Sequence, residues 1–491
     1  MMRKLISLSL LLNLLAACAA SPYRASNQSA ETARAVESRG RSRATQPSTL
    51  PPIVNDLEER TFRWFWDTTN PKNGLVPDRW PTKSFSSVAA VGFGLTAYPI
   101  GVERGWITRE QARERVLTTL RFFWTAPQGP QESGVIGHRG FFYHFLDMET
   151  GHRFEKVELS TIDTALFLAG ALFCQSYFDD AANSAEIEIR DLTQKIYDRV
   201  EWTSALQRPG LVSMAWSPKD GWSSWDYTGY NEAMFLYILA LGSKTHPIPD
   251  NAWDVFHRTD KWAPFYDQPH VNFAPLFGHQ YTMVWIDFKG IRDRLMREKG
   301  IDWFENSRRA AISQRAYAID NPGEWRGYGP NIWGLTACDG PMDKTFEIGG
   351  RTRTFYTYHA RGAAAGEIRD DGTISPTAAA SSIGFAPEIA IPAIEEMIRV
   401  YGSDLFGKYG FVDAFNPTLT TSPFPLQHGW IDPQKGWFDK DYLGIDQGPI
   451  VAMIENHRTG LVWNTMKKNP HIVRGLRRAG FEGGWLDSAP R

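Results

Sequence analysis

The chain of 491 residues is 42% hydrophobic and 22% charged, with a formal net charge of −2 at pH 7. This is ordinary globular chemistry with length enough for a large core, and it excludes the basic surplus of a nucleic-acid partner. The outlier is aromatic content, 19 Trp, 17 Tyr and 29 Phe. Some of these rings must fill a core, and indole beside Gly, Asp and Asn also suits the CH faces of sugars.

In chain order, Arg3 and Lys4 precede an apolar run from Leu5 to Leu15, and Leu15-Ala16-Ala17-Cys18 follows. Small residues before a single cysteine there resemble a lipobox, so residues 1–18 read as a lipoprotein signal peptide with lipid on Cys18. Ala19 and Ala20 carry no inner-membrane retention signal. The expectation is an exported lipoprotein of the periplasm or cell surface, anchored in an outer membrane where the cell has one. Residues 19–52 are rich in Ser, Ala, Thr, Gln and Pro without apolar periodicity, and read as a disordered tether. A folded domain is expected over 53–486. Its two cysteines, Cys174 and Cys338, lie in apolar, helix-like surroundings and read as buried free thiols.

Helical segments then recur in pairs across Gly/Pro/Trp-rich loops. Ile53–Asp67 pairs with Ser86–Ile100, Thr108–Trp124 with Ser160–Tyr177, and Glu186–Trp202 with Tyr230–Gly242. Asn251–His257 pairs with Leu276–Phe288, Asn306–Ile319 with Asn331–Ala337, and Ala386–Tyr401 with Ile445–His457; a short helix is expected near Leu461–Lys468. One member of each pair is amphipathic and the other almost wholly apolar or small. About six such alternations predict two concentric layers of helices, an all-α (α/α)6 barrel with loop decorations, and no strand-like run supports a parallel sheet. Hairpins are predicted for His138–Phe145 into His152–Glu158 across Glu149-Thr150-Gly151, and for Phe346–Thr357 across Gly349-Gly350. Parallel inner helices gather their N-termini at one end, which would bring Asp163, Glu232 and Asp446 to one pocket.

Candidate site residues follow. Glu232 opens the apolar run Tyr230–Gly242, beneath the polar aromatic stretch Ser223–Tyr230 with Trp225 and Tyr230. It is a candidate catalytic acid or a residue that complements a helix N-terminus. Catalysis needs its pKa raised, which a neighbouring carboxylate or enclosure by Trp225 and Tyr230 would supply. Asp163 stands three residues after Ser160, as a site acid or a capping partner. Asp446 and Gln447 are crowded by Gly444, Gly448 and Pro449. Asp339 ends Gly334–Asp339, as a site residue or a turn initiator. His359 and Arg361 fall in a long excursion, Tyr356–Ser382, expected over the cleft, and Glu388 is an acid in apolar company. No metal or cofactor spacing is present among the eleven histidines, and His144 and His152 read as sugar-binding or solvent-facing. Carboxylates with aromatics suit glycoside hydrolysis, which needs one proton donor and one carboxylate.

These stretches resemble a known family. Ser160–Ala165, Tyr230–Met234 continuing to Ile248, Gly334–Gly340, Asp371–Pro376, Phe385–Glu388, Gly410–Asn416 and Gly444–Pro449 are, in that order, similar to the bacterial glucoamylase-like domain of glycoside hydrolase family 144, the β-1,2-glucanases. The resemblance spans about Leu57 to Phe481. It implies an (α/α)6 barrel and inverting hydrolysis of β-1,2-glucan, endo-acting or releasing short units from an end. It also implies Glu232 as general acid, Asp446 as the acid driving water attack, through a substrate hydroxyl relay or directly, and Asp163 as a supporting subsite acid. A monomer with a glucan substrate and no cofactor is expected. The alternatives are a non-catalytic glucan-binding lipoprotein, or a related enzyme of other linkage or transglycosylating activity.

Overall fold

The structure, a computed structural model, describes residues 50–490. The signal peptide, Cys18 and the tether up to residue 49 lie outside the described residues. The chain is dominated by helices: α1 (Pro52–Thr68), α2 (Val88–Glu103), α3 (Arg109–Thr125), α4 (Thr161–Tyr177), α5 (Ser184–Asp198), α6 (Met234–Gly242), α7 (Ala252–Phe256), α8 (Phe277–Trp285), α9 (Arg294–Lys299), α10 (Trp303–Asp320), α11 (Pro376–Ala380), α12 (Pro387–Tyr401), α13 (Gly444–Arg458), α14 (Leu461–Met466), α15 (Pro470–Arg478) and α16 (Gly484–Ser488). Short strands fill the loops between them. Among the described residues no helix is long and apolar enough to cross a membrane.

The expected division into two kinds of helix is present. α2, α4, α6 and α8 are buried on nearly every face. α1, α3, α5 and α12 bury one stripe each; in α3 that stripe is Ala112, Val116, Leu117, Thr119, Leu120 and Phe123. The buried helices pack on one another: α2 on α4, α4 on α6, α6 on α8, α8 on α13, and α13 on α2. Small residues permit the closest crossing. A Cβ at Gly170 would lie 2.0 Å from the Gly92 carbonyl oxygen, and one at Gly92 would lie 2.1 Å from that of Leu166. The backbones of α2 and α4 therefore touch where side chains would hold them apart.

Short strands deliver the chain into the buried helices. Leu159–Ser160 is the central strand of a five-stranded sheet and runs directly into α4; Tyr442–Leu443 pairs with Arg79–Trp80 and runs into α13. Ser86–Ser87, paired with Phe145–Leu146, does the same for α2. Each of these helices thus starts at a point fixed by a ladder, and a side chain in its first turn is fixed with it.

Two expectations are corrected. Asn331–Ala337 is not a helix: Gly334 takes φ 135°, and the segment ends in a strand, Ala337–Cys338, paired with His359–Ala360. The buried position beside α13 is filled by α11 and the 3-10 turn Ser381–Gly384. Gln280 Nε2 donates to the Ala378 carbonyl at 2.8 Å and Thr377 Oγ1 to that of Asp446 at 2.8 Å. The end of the predicted excursion is therefore core. Cys338, on a strand instead of a helix, is still buried and free, as is Cys174. The first hairpin is as expected across Glu149-Thr150-Gly151, with Leu146 bridging Arg153 and the Phe154 N–H donating to the Phe145 carbonyl, and a further tight turn at Arg139-Gly140 pairs Gly137–His138 with Phe141–Phe142. The second is as expected, Lys344–Ile348 with Arg351–Phe355 across Gly349-Gly350.

Candidate active site

Ser160 caps α4 through its side chain, accepting from the Asp163 N–H, and its hydroxyl donates to Asp163 Oδ2. Asp163 is thus both capping partner and site acid, 4% exposed, its other oxygen 3.5 Å from His144 Nε2. His144 Nδ1 meets Glu158 Oε1 at 2.8 Å. Burial alone would lower the His144 pKa, but Asp163, Glu158 and Asp78 overcome it and lift it to about 9, so the ring is an imidazolium at neutral pH. His144 is half-buried, with part of its side chain still exposed. It is the cation between two acids.

Glu232 lies in the turn Asn231–Ala233 just before α6. Burial, helped by the charge of Asp163, raises Glu232 to about 7 against a hydrogen bond from its own backbone N–H. The polar stretch above it divides. Trp225 is 49% exposed and free to stack on a ligand. Tyr230 is turned into the core, stacked on Trp303 at 4.8 Å with its hydroxyl 3.0 Å from His279 Nδ1. Its assignment to substrate binding is corrected: the hydroxyl is engaged and the ring is covered.

Asp446 occupies the first turn of α13, 2% exposed. Burial raises it to about 7, with Asp339 and Asp78 adding to the effect and a hydrogen bond with Asp413 opposing it. Charge links the two halves of the site: Asp78 acts on both His144 and Asp446, and the buried Tyr281 lies within reach of both Asp446 and Glu232. The three acids predicted to gather do border one region. Gln447 is buried, its Nε2 donating to the Phe411 carbonyl at 2.9 Å.

Asp339 is fully buried and bonded to Arg79, which also pairs with Asp78 at 3.2 Å. It is no turn initiator. Oxygens of Asp339, Asp413 and Asp439 lie within 4.8 Å of one another, which makes them the group among the described residues that could hold a cation. Spread over a hundred positions, they escape every spacing rule for ligands.

The remaining candidates separate. His359 is partly exposed and stacks on Tyr356 at 4.5 Å, available at the rim. Arg361 is fully buried; it grips Asp371 in a fork at 2.7 and 2.8 Å and donates to the carbonyls of Cys338, Tyr356 and Thr357. That is a brace for the loop, and its assignment to substrate binding is corrected. Glu388 is exposed at the start of α12 and pairs with Arg308, so neither burial nor a place in the cleft holds for it. The apolar neighbours on its own helix point the other way. Residues given no site role from sequence are Glu158, Asp78, Arg79 and Asp413, although Glu158 closes a predicted hairpin and Asp413 lies in the stretch Gly410–Asn416.

Comparison with known proteins gives the family of the chain. The family model described as "Putative glucoamylase" (Glycoamylase) matches residues 224–470, just over half the chain. A Parabacteroides distasonis exo β-1,2-glucooligosaccharide sophorohydrolase (non-reducing end) is 27% identical over 471 residues, covering 89% of this chain and 59% of its own. This chain thus spans about three fifths of that relative's length. Among solved structures, the endo-β-1,2-glucanase of Chitinophaga pinensis, in complex with sophorotriose and glucose, has a TM-score of 0.74 and 29% identity, covering 88% of this chain and 98% of that one. The β-1,2-glucanase of Parabacteroides distasonis has a TM-score of 0.73 and 26% identity, covering 87% and 60%. The chain belongs to the glycoamylase, or glucoamylase-like, family.

Proposed function

We propose that this chain hydrolyses β-1,2-glucan, with Glu232 as general acid and Asp446 as the carboxylate that draws a proton from water. The observation that carries the reading is Glu232 itself. A carboxyl raised to about 7 beside Asp163 still holds a proton near neutral pH and can give it to a glycosidic oxygen. As that C–O bond breaks, water adds at the anomeric carbon and its proton passes to Asp446, with inversion. Trp225 and His359 at the rim supply stacking faces for the sugar chain. The relatives' activities on β-1,2-linked glucans support the linkage. The contacts among α2, α4, α6, α8, α11 and α13 support an (α/α)6 barrel with those helices innermost. The sequence around Cys18 supports export as a lipid-anchored protein of the cell envelope.

The test offers the chain from about Ser48 onward linear β-1,2-glucan and, separately, starch and β-1,3-glucan, with products resolved by chromatography. Cleavage of the β-1,2 polymer alone is expected, and Asp446→Asn lowers kcat by about a hundredfold or more. Binding of glucan with no cleavage of any polymer would replace the hydrolase with a glucan-binding protein.

A further inference from the structure

The mechanism above leaves unused a line of three polar side chains, Glu158, His144 and Asp163. His144 Nδ1 lies 2.8 Å from Glu158 Oε1, and its Nε2 lies 3.5 Å from Asp163 Oδ1. An ionised carboxylate only accepts, so a ring set between two of them carries N–H on both nitrogens. The backbone fixes that ring. The His144 N–H donates to the Glu158 carbonyl at 3.0 Å, its carbonyl accepts the Val88 N–H at 3.1 Å, and the ring stacks on Phe145 at 3.9 Å. The other oxygen of Asp163 takes the Ser160 hydroxyl. Protein donors thus set the direction of both acids, and each acid keeps lone pairs for further donors. The line is also open to a ligand: the His144 and Glu158 side chains are each 22% exposed, and that of Asp163 is 5% exposed.

We propose that His144 is a positioning residue for the subsite beside Glu232: its two ring N–H groups, one towards Glu158 and one towards Asp163, hold both carboxylates as acceptors for hydroxyls of one glucosyl unit. This rests on glucan as the substrate.

A glucosyl unit presents hydroxyls on neighbouring carbons, each an O–H donor. Two carboxylates bridged by one cation stand side by side as acceptors without repelling each other. With a neutral ring between them, one acid would be driven to take a proton and give up an acceptor. The groups that face the ring come from several elements. Asp163 belongs to α4, Glu158 precedes the strand Leu159–Ser160, and Asp78 follows α1 and is shared with Arg79 at 3.2 Å. Arg153 acts on Glu158, and Asp163 in turn acts on Glu232. Tyr227, kept neutral by burial, faces Glu232, Asp163 and Glu158. The first turn of α2 brings no acid. Burial alone would discharge the ring, and the three acids around it keep it charged below about pH 9.

The test measures, by calorimetry, the binding of a linear β-1,2-linked glucotetraose to the full chain carrying Glu232→Gln, across the pH range in which the ring titrates. Kd is expected to be level at neutral pH and to rise about tenfold as the ring loses its charge. Adding His144→Asn is expected to weaken binding about tenfold at neutral pH and to abolish that rise. Adding Glu158→Gln is expected to move the rise down by about one pH unit, a displacement that a merely structural histidine would not produce. Unchanged affinity in folded His144→Asn, or a rise that Glu158→Gln leaves in place, overturns the proposal; if thermal melts show His144→Asn unfolded, Glu158→Gln decides. A second readout needs no sugar. Nitrogen NMR is expected to show both ring nitrogens of His144 protonated at neutral pH, with their signals lost in His144→Asn, and a neutral ring there overturns the proposal. Binding as described with no cleavage by the unsubstituted chain sinks only the hydrolase. Cleavage with binding indifferent to His144 sinks only this proposal.

Discussion

Replacing Glu232 by Gln removes the proposed acid and, by the same physics, stabilises the fold. Burial lifts Glu232 from 4.5 to about 7. At about 1.4 kcal/mol per unit the ionised side chain costs the fold up to about 3 kcal/mol, and partial solvent contact brings that to about 2 kcal/mol. The sign follows from where each state ionises. Below pH 4.5 both folded and unfolded chains carry a protonated Glu232, and the cost is absent. Between 4.5 and 7 the unfolded chain ionises first, and above 7 the cost is complete. Gln, of the same shape and always neutral, never incurs it. Some 440 residues unfolding at about 2.1 cal/mol/K each give about 0.9 kcal/mol/K, so Glu232→Gln melts about 2 °C higher at pH 8 and unchanged at pH 4. Scanning fluorimetry of both proteins at the two pH values measures this, alongside loss of glucan cleavage at both. A variant equally shifted at pH 4 and pH 8, or destabilised at pH 8, would refute the account of a carboxyl kept protonated by its surroundings.

The imidazolium of His144, raised to about 9, is linked to stability in the opposite sense. His144→Asn is expected to be less stable by about 2–3 kcal/mol below pH 6.5, a deficit that closes as pH rises through 9 in denaturant titrations. Asp371→Asn strands the buried Arg361 guanidinium without its counter-charge and is expected to cost about 3–5 kcal/mol, read from the urea midpoint at pH 7. Gly170→Ala forces a methyl against the Gly92 carbonyl and costs about 1–3 kcal/mol by the same measurement, although Ala is the better helix former.

Much of the fold was legible because its signals are local. Thr161–Tyr177 and Met234–Gly242 are apolar on all faces, and a helix of that kind has only the interior to occupy. The failures have physical causes. Asn331–Ala337 carries an apolar pattern, but Gly334 adopts a backbone angle no helix uses, while Pro376–Gly384, small and Ala/Ser-rich, gave too little hydrophobic contrast to stand out. At the site, Glu232, Asp163 and Asp446 were visible because each opens or precedes a buried helix. Arg361 and Glu388 were misplaced because their roles depend on partners, Asp371 and Arg308, that only folding supplies. The pairing of His144 was hidden for the same reason: one of its two acids is fourteen positions away and the other nineteen.

The strand Arg79–Trp80 pairs with Tyr442–Leu443, and this bears on how the protein is made. A chain synthesised from its N-terminus exposes Arg79 more than 350 residues before its ladder partner exists. Until then the edge stays open, and neither Asp339 nor Asp446 is in place against it. Closing contacts of such separation is slow, and the interval leaves unpaired strand edge and apolar helices α2, α4 and α6 available to other chains. Loss of the last sixty residues would therefore do more than remove Asp446. It would leave the first strand without the ladder that anchors Arg79, and a largely complete set of helices prone to aggregate instead of a weakened enzyme.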